Sequence, residues 1–261
     1  MRRPAFSRLP VSVNLPLLLQ ALVAVEDERW QGHFNSAYYS GDWSGVALIS
    51  AADALTELSP GRGQPVPRAP WSADPRWCEA LRDWPLDIVS ARLLRLGPGG
   101  CIHEHRDYDL DGADADLRLH IPLLSPPQVD FWLEGERIPM AAGECWFLDL
   151  SRPHHVDNRS AESRIHLVLD CRPGPWLQQQ ISDGLPTTPA VGGGPSDFSR
   201  FQRCVETDPQ LARTLQSLHD LDAFIESAIA LGVEQGLHFT EEAIRAAMRN
   251  GRRQWRDQWK V

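Results

Sequence analysis

Apolar and polar residues follow a strand-like pattern over the middle third of the chain, from Asp87 to about Pro173. Short runs rich in β-branched and aromatic residues are separated by glycine, proline and acidic turns, as in IVSARLLRL, CIHEHRD, LRLHIPLL, VDFWLEG, ECWFLDL and RIHLVLD. Runs of this length and spacing are typical of antiparallel strands. The pattern therefore predicts an antiparallel β-barrel or sandwich that closes near Pro173.

The first 86 residues mix strands and helices. A short strand is predicted at about 6–13. Asn14 followed by Leu15 and Pro16 predicts the start of a helix, because asparagine caps helix N-termini and proline fits the first turn. We expect that helix to end near Trp30. Further strands are expected within 33–50, a loop within 58–70 and a short helix over 75–84.

The pattern becomes helical after a linker rich in Gly, Pro, Ser and Thr at 182–196. Four helices are predicted beyond it: one carrying Phe198, Phe201 and Val205, a second starting at Asp208 and Pro209, a third over about 221–231, and a fourth opening at Thr240. The predicted organisation is therefore a β domain at 1–181, a linker at 182–196 and a small all-α domain at 197–261.

Charge and cysteine usage narrow the cellular setting. The formal net charge of −9 disfavours non-specific binding to nucleic acid. The five cysteines form no CxxC pair, which argues against a disulfide framework and fits a reducing compartment. The apolar run Leu15–Val25 is too short to span a bilayer and has no small-residue cleavage site after it. The sequence thus predicts a cytoplasmic protein with no nucleic-acid or membrane partner.

Histidines concentrate in the strand-rich region and suggest a metal site. His105 and Asp107 lie two residues apart, so on a strand they share one face. A third ligand is expected 47 or 48 residues after Asp107, from His154 or His155, which face opposite ways, so at most one joins the site. Two imidazoles and one carboxylate form the ligand set of non-haem Fe(II) oxygenases. The alternative is that these side chains are edge-strand polar groups facing water.

Three further polar residues could line the same cavity. Arg164 follows His154 by ten residues on a later strand and could hold a dicarboxylate such as 2-oxoglutarate through a bidentate ion pair. Arg118 and His120 alternate on another strand and would point the same way.

Several linked motifs resemble the aspartyl/asparaginyl β-hydroxylase family of Fe(II)- and 2-oxoglutarate-dependent dioxygenases, which includes bacterial proline cis-hydroxylases. The matching segments are HFNSAYYSGDWSG, ARLLRLGPGGCIHEHRD, RLHIPL and GECWFLDLSRPHHVDNRSAESRIHLVLD, which stand in the family's order within about residues 5–175. The resemblance implies a mainly β, double-stranded β-helix of the jelly-roll or cupin-like type with flanking helices.

The resemblance also implies roles for individual residues. Iron would be bound by His105, Asp107 and His154, and Arg164 would bind the distal carboxylate of 2-oxoglutarate. Arg118 and His120 would lie at the cosubstrate pocket. The expected reaction consumes O2 and 2-oxoglutarate, releases succinate and CO2, and hydroxylates an amino acid or a residue in a peptide.

Two residues of the first matching segment are weaker candidates. Asn35 and Trp43 could line the substrate pocket, although core packing would equally explain Trp43 and a strand-end hydrogen bond would explain Asn35. The aspartyl hydroxylases of this family that act on folded domains can lack the carboxylate ligand. Asp107 therefore favours an amino acid or short peptide as the substrate.

Competing interpretations remain open at this point. DYDLDG, beginning at Asp107, matches the opening of an EF-hand loop, but Arg118 stands where a bidentate Glu is required. A generic metal cupin would use His103 in place of Asp107 and need no 2-oxoglutarate. A third alternative is a non-catalytic, metal-holding sensor or adaptor that acts through its helical domain.

The C-terminal helical segment has a resemblance of its own. Phe198–Met248 resembles the Nif11 domain through an aromatic helix, the D-P-x-L element at Asp208 and the G-x-x-F-T-x-E pattern beginning at Gly236. The resemblance implies a site for a protein or peptide partner. The alternative is a helical addition that stabilises the chain or its dimer.

Overall fold

A computed structural model describes residues 3–59, 61, 63–112, 114–187, 197–218, 220–241, 244, 245 and 248. The strands are β1 (Phe6–Arg8), β2 (Gln31–Gly32), β3 (Tyr39–Ser40), β4 (Trp43–Ala51), β5 (Pro65–Pro67), β6 (Ile88–Leu96), β7 (Cys101–His105), β8 (Leu117–Leu124), β9 (Val129–Leu133), β10 (Glu136–Ile138), β11 (Trp146–Leu148), β12 (His154–Asn158) and β13 (Arg164–Cys171). The α-helices are α1 (Leu15–Val23), α2 (Ala69–Ala73), α3 (Arg76–Ala80), α4 (Pro175–Ser182), α5 (Asp197–Thr207), α6 (Pro209–Gln216) and α7 (Leu221–Glu234).

Two antiparallel sheets form the main domain. The larger sheet has the order β1-β11-β8-β13-β6-β4-β2, with β5 paired to the outside of β4. The smaller sheet has the order β10-β9-β12-β7-β3. Neighbours in space are distant in sequence, as in β13, which lies between β6 and β8. This arrangement is the double-stranded β-helix that the sequence predicts.

The larger sheet is buried on both faces. Leu167 and Leu169 of β13 belong to the cluster that also contains Leu18 of α1 and Trp77 of α3, so the helices cover this face. Because side chains alternate along a strand, the intervening residues of β13 face the smaller sheet. Polar residues at those alternate positions can therefore reach the space between the sheets.

A second apolar cluster fills part of the space between the sheets. Trp43 and Trp146 of the larger sheet pack there with Phe131 and Val156 of the smaller one. One end is closed by Asn158, which is 1% exposed and donates its side-chain amide to the carbonyls of Leu96, Gly97 and Glu162. These bonds tie the end of β12 to the end of β6.

A close backbone approach joins the turns before β4 and β7. Gly41 has a φ of +83°, and a Cβ there would lie 2.9 Å from the Cα of Gly100. Only glycine combines this left-handed conformation with so short an approach. The turn brings the segment before β4 against the strand that carries His105.

The C-terminal helices have their own apolar cluster, which includes Phe201, Leu211, Leu215 and Ile225. The predicted caps are confirmed at α6, where the Asp208 side chain accepts from the backbone amides of residues 210 and 211. The fourth predicted helix lies largely outside the described residues, as does most of the predicted linker, at 188–196. No described helix is both long and apolar enough to cross a bilayer.

The N-terminal third differs in detail from the prediction. The Asn14 cap of α1 is confirmed, but the helix ends at Val23 and is followed by a 3₁₀ turn at Asp27–Arg29. The predicted loop at 58–70 contains the edge strand β5. The prolines of this segment argued against a strand, because proline donates no hydrogen bond to a neighbouring strand. The helix expected at 75–84 is only the five residues of α3.

Candidate metal centre

Three potential metal ligands meet at the end of the smaller sheet. His105 is the last residue of β7, and His154 is the first residue of β12 and its direct partner across the antiparallel pair. Asp107 follows His105 by two residues, where the chain leaves the strand. One ligand atom from each residue lies within 4.8 Å of the other two.

Both imidazoles are oriented by backbone carbonyls. The Nδ1 atom of His105 is 2.7 Å from the carbonyl oxygen of His103, and Nδ1 of His154 is 2.9 Å from that of Arg152. A carbonyl can only accept, so each Nδ1 carries the proton and each Nε2 keeps its lone pair. Metal-binding histidines are typically fixed in this way by a second hydrogen bond.

Asp107 is held by a buried group of charges. Arg118 contacts one carboxylate oxygen of Asp107, while the other lies 3.6 Å from Nε2 of His105. Arg118 also bonds both oxygens of Asp170, at 2.6 and 2.9 Å, and Arg92 contacts the same carboxylate. Burial opposes ionisation of Asp107, but Arg118 and the two histidines outweigh it and lower its pKa to about 2. The carboxylate is therefore fixed with one oxygen directed toward the imidazoles.

His154 has the protonation state that a metal ligand needs. Burial, together with the neighbouring His105, lowers the pKa of His154 to about 3. The ring is neutral near pH 7, and its Nε2 lone pair is available.

The three ligands border a cavity of about 280 Å³ between the two sheets. Its polar lining from the larger sheet comes from β6, β8 and β13, and its apolar lining includes Phe131 and Val156 of the smaller sheet. The predicted site residues that line it are His105, Asp107, His154, Arg164, Arg118, His120, Asn35 and Trp43.

Arg164 is a buried cation without a carboxylate partner. Its residue is 2% exposed, and among the residues that the structure describes no Asp or Glu lies within ion-pair distance of its guanidinium. Among the described residues, its polar contact is with His166, from Nη2 to Nδ1 at 2.8 Å, and its Nε has no partner. Burial lowers the pKa of Arg164 to about 9. An anionic ligand would relieve this uncompensated charge.

The opposite wall of the cavity is aromatic. The His33 ring stacks on Trp43 with centroids 3.5 Å apart, and its Nδ1 accepts from the backbone amide of Asn35 at 3.3 Å. Burial and the nearby Arg92 lower the pKa of His33 to about 3. The indole nitrogen of Trp43 is buried and has no partner. Trp43 therefore both packs in the core and lines the cavity.

His103 and His155, the two histidines considered as alternative ligands, lie outside the ligand group. His155 turns to the other side of β12, where it stacks on Trp132, as strand alternation requires. His103 is not among the ligand group, which removes the support for a cupin-type site that uses His103 in place of Asp107. Tyr108–Leu110 forms a 3₁₀ turn where the EF-hand match began.

Sequence reasoning missed four residues of the site: His33, Arg92, His166 and Asp170. Arg92 lies on β6, which carries no predicted residue. On β13, His166 and Asp170 share the inward face with the predicted residue Arg164, since the three are separated by even intervals. That parity was a usable signal for them. His33 opens the matching segment HFNSAYYSGDWSG, but strand parity could not indicate its role, because a loop places it.

Comparisons with known proteins identify relatives of the chain. The sequence model of the aspartyl/asparaginyl β-hydroxylase family matches residues 19–173. An L-proline cis-4-hydroxylase from Rhizobium meliloti (strain 1021) is 28% identical over 144 residues, which are 52% of this chain and 51% of that protein. The chain thus spans about half the length of this curated relative.

Solved structures are more distant. A 2OG-Fe(II) oxygenase family oxidoreductase from Burkholderia pseudomallei has a TM-score of 0.42 at 13% identity, over 64% of this chain and 85% of its own. A prolyl-4-hydroxylase from Pseudomonas putida has a TM-score of 0.39 at 14% identity, over 65% and 93%. Scores this low support no inference about activity.

Proposed function

Because the chain belongs to the aspartyl/asparaginyl β-hydroxylase family, we propose that it is an Fe(II)- and 2-oxoglutarate-dependent dioxygenase that hydroxylates an amino acid or an amino-acid residue in a peptide. The observation that carries the proposal is a cavity lined both by two oriented imidazoles with one carboxylate and by a buried arginine that has no anionic partner in the described part of the chain. The two imidazoles and the carboxylate fit a metal ion, and the buried arginine fits a dicarboxylate.

The ligand set fits Fe(II). His105, Asp107 and His154 supply the two-imidazole, one-carboxylate combination that leaves other coordination positions open. Their Nδ1 hydrogen bonds and the contact from Arg118 hold the donor atoms before any metal arrives. When bound, iron would supply the chemistry by which O2 oxidises 2-oxoglutarate to succinate and CO2 and hydroxylates the substrate.

The cosubstrate would be held in the part of the cavity that Arg164 lines. Arg164 would pair with the distal carboxylate of 2-oxoglutarate, and His120, which is 4% exposed and lines the cavity, would lie beside it. Arg118 is already bonded to Asp107 and Asp170, so we assign it to orienting the Asp107 ligand as well as lining the pocket.

The substrate would occupy the aromatic side of the cavity. Since Asn35 donates to Nδ1 of His33, the proton of that neutral ring lies on Nε2 and can be donated to a substrate oxygen. The unpartnered indole N–H of Trp43 is a second donor on the same wall. The name of the Rhizobium relative makes free L-proline the first amino acid to test.

Two further expectations have support from sequence alone. We propose that the helices after residue 197 form a Nif11-like unit that engages a protein or peptide partner, which rests on the D-P-x-L and G-x-x-F-T-x-E elements. We also propose a cytoplasmic location, which rests on the five unpaired cysteines.

The test is succinate formation from 2-oxoglutarate by the Fe(II)-loaded protein, with free amino acids and peptides screened by mass spectrometry for a gain of one oxygen. We expect substrate-stimulated turnover that is abolished in Asp107→Ala and Arg164→Ala and retained in His103→Ala. His103→Ala is the matched control, because a cupin-type site would need that histidine.

Full activity of Asp107→Ala would refute the ligand assignment. Iron binding without 2-oxoglutarate binding would favour the alternative of a metal-holding sensor or adaptor.

A further inference from the structure

We infer that His166 is the positioning residue for Arg164, and that it holds the guanidinium through a neutral acceptor so that the positive charge stays available to a dicarboxylate. The inference rests on the proposed function and names a residue that the family match alone does not assign. His166 would act through Arg164 and would not touch the cosubstrate.

The side chains of Arg164 and His166 lie together on the inward face of the larger sheet. Arg164 and His166 are two residues apart on β13, so both face the space between the sheets. Nη2 of Arg164 lies 2.8 Å from Nδ1 of His166. Arg164 borders the cavity, whereas His166 is 1% exposed and does not line it. His166 therefore contacts the guanidinium of Arg164 without bordering the cavity itself.

The donor inventory fixes the state of the His166 ring. A guanidinium has no acceptor atom, so Nδ1 of His166 must accept, and the ring's proton lies on Nε2. The imidazole is thus neutral. Burial, with Arg164 beside it, lowers the pKa of His166 well below its ordinary value, which agrees with the geometry. His120 contacts the same nitrogen, with its Nδ1 atom 3.3 Å from Nδ1 of His166, and limits movement of the ring.

The charge pattern explains why a neutral acceptor matters here. Two other arginines that line the cavity, Arg92 and Arg118, are both paired with Asp170. Arg164 is more deeply buried than either, and its hydrogen-bond partner among the described residues is an uncharged ring. A carboxylate at position 166 would neutralise the guanidinium and compete with an incoming carboxylate. An apolar side chain would leave the guanidinium without orientation.

Three substitutions separate these effects. His166→Asn keeps an acceptor near the position of Nδ1, His166→Leu removes it, and His166→Asp replaces it with a charged competitor. The readout is calorimetric titration of 2-oxoglutarate into the Mn(II)-loaded full chain, which measures binding without turnover. The affinity for Mn(II) is measured in parallel, because a role confined to Arg164 should leave it unchanged.

We expect His166→Asn to bind 2-oxoglutarate within about threefold of the wild type. His166→Leu should lose about tenfold to hundredfold, the usual contribution of a hydrogen bond to a charged group. His166→Asp should lose at least as much, although it gives Arg164 its best structural partner. A merely structural histidine predicts the reverse order, with Asp restoring function better than Leu.

The inference is overturned if His166→Asp binds 2-oxoglutarate as the wild type does, or if His166→Leu and His166→Asn bind equally. Should the Asp variant fail to fold by circular dichroism, the comparison between Leu and Asn decides alone. Failure of the wild type itself to bind 2-oxoglutarate would overturn the proposed function as well, and so differs from an effect confined to position 166.

Discussion

Asp170 holds together the charges behind the metal site, and its replacement by asparagine is the sharpest test of how the site is built. The carboxylate is 10% exposed as a side chain and pairs with Arg92 and Arg118, which are 8% and 15% exposed. Asp170→Asn keeps the shape and one acceptor oxygen but removes the charge. Among the ion pairs of the described residues, Arg118 would then keep the one with Asp107, and Arg92 would keep none.

The expected cost follows from these contacts. Breaking a buried ion pair by removing one partner destabilises a protein by about 3–5 kcal/mol, because a charge stays buried without compensation. The retained amide oxygen can still accept one bond from Arg118, so we expect about 3 kcal/mol. With an m-value of about 2–3 kcal/mol/M, the urea midpoint should fall by about 1–1.5 M.

The assay is urea unfolding of the metal-free protein at pH 7, followed by tryptophan fluorescence. The matched control is Asp87→Asn, which removes the same charge from the ion pair with Arg172, whose side chains are 58% and 51% exposed. Exposed pairs contribute about 0–1 kcal/mol, so the control should unfold near the wild type. Equal midpoints for Asp170→Asn and Asp87→Asn would refute the claim that the buried pair stabilises the fold.

Four further outcomes are expected. The metal-free protein should lose stability as the pH falls below about 4. The folded pKa of Asp107 is about 2 and that of Asp170 is also lowered, against an unfolded value of about 3.9, so the stabilisation by both carboxylates is present above the unfolded pKa and disappears as they protonate. Measuring the urea midpoint as a function of pH checks this, and a flat profile contradicts it. Trp77→Ala should cost about 3–5 kcal/mol, since the side chain is 0% exposed; an unchanged melting temperature would contradict the burial. Asp208→Ala should cost the α6 N-terminus about 1 kcal/mol, as seen by circular dichroism, and an unchanged unfolding curve would contradict the cap. Mn(II) should raise the melting temperature of the wild type and EDTA should reverse the rise, with Asp107→Ala showing neither effect.

Strand parity explains how much of the site the sequence could predict. His105 and Asp107 lie two residues apart, so the alternation of side chains along a strand predicts that they share one face. The same alternation predicts that His154 and His155 point to opposite faces, so that only one of the two can join the metal site. Parity could not choose between His154 and His155. The structure makes that choice through the pairing of His154 with His105 across β12 and β7.

The charge network lay beyond sequence reasoning. Arg118 and Asp170 are 52 positions apart, yet β8 and β13 pair them directly in register. Nothing local links such residues, because the pairing depends on which strands become neighbours in the sheet. The assignment of Arg118 to the cosubstrate pocket stays a prediction, while its bond to Asp107 emerged from the fold.

Local rules also set the limits of the secondary-structure prediction. The caps at Asn14 and Asp208 were predictable because a side chain bonds amides two or three residues away. The strand β5 was not, because its prolines argue against a strand and only the adjacent edge of β4 recruits it.

By itself, the sequence determined the antiparallel β class of the main domain, the helical character of the C-terminal segment, and a short list of ligands and cosubstrate residues. These features depend on periodicity and on motifs whose residues are close in the chain. Only the tertiary structure decided which of these arginines lies without a carboxylate partner among the described residues: Arg92 and Arg118 form ion pairs with Asp170, whereas Arg164 contacts a neutral histidine. That difference depends on sheet order and burial, which bring together side chains that the sequence keeps far apart.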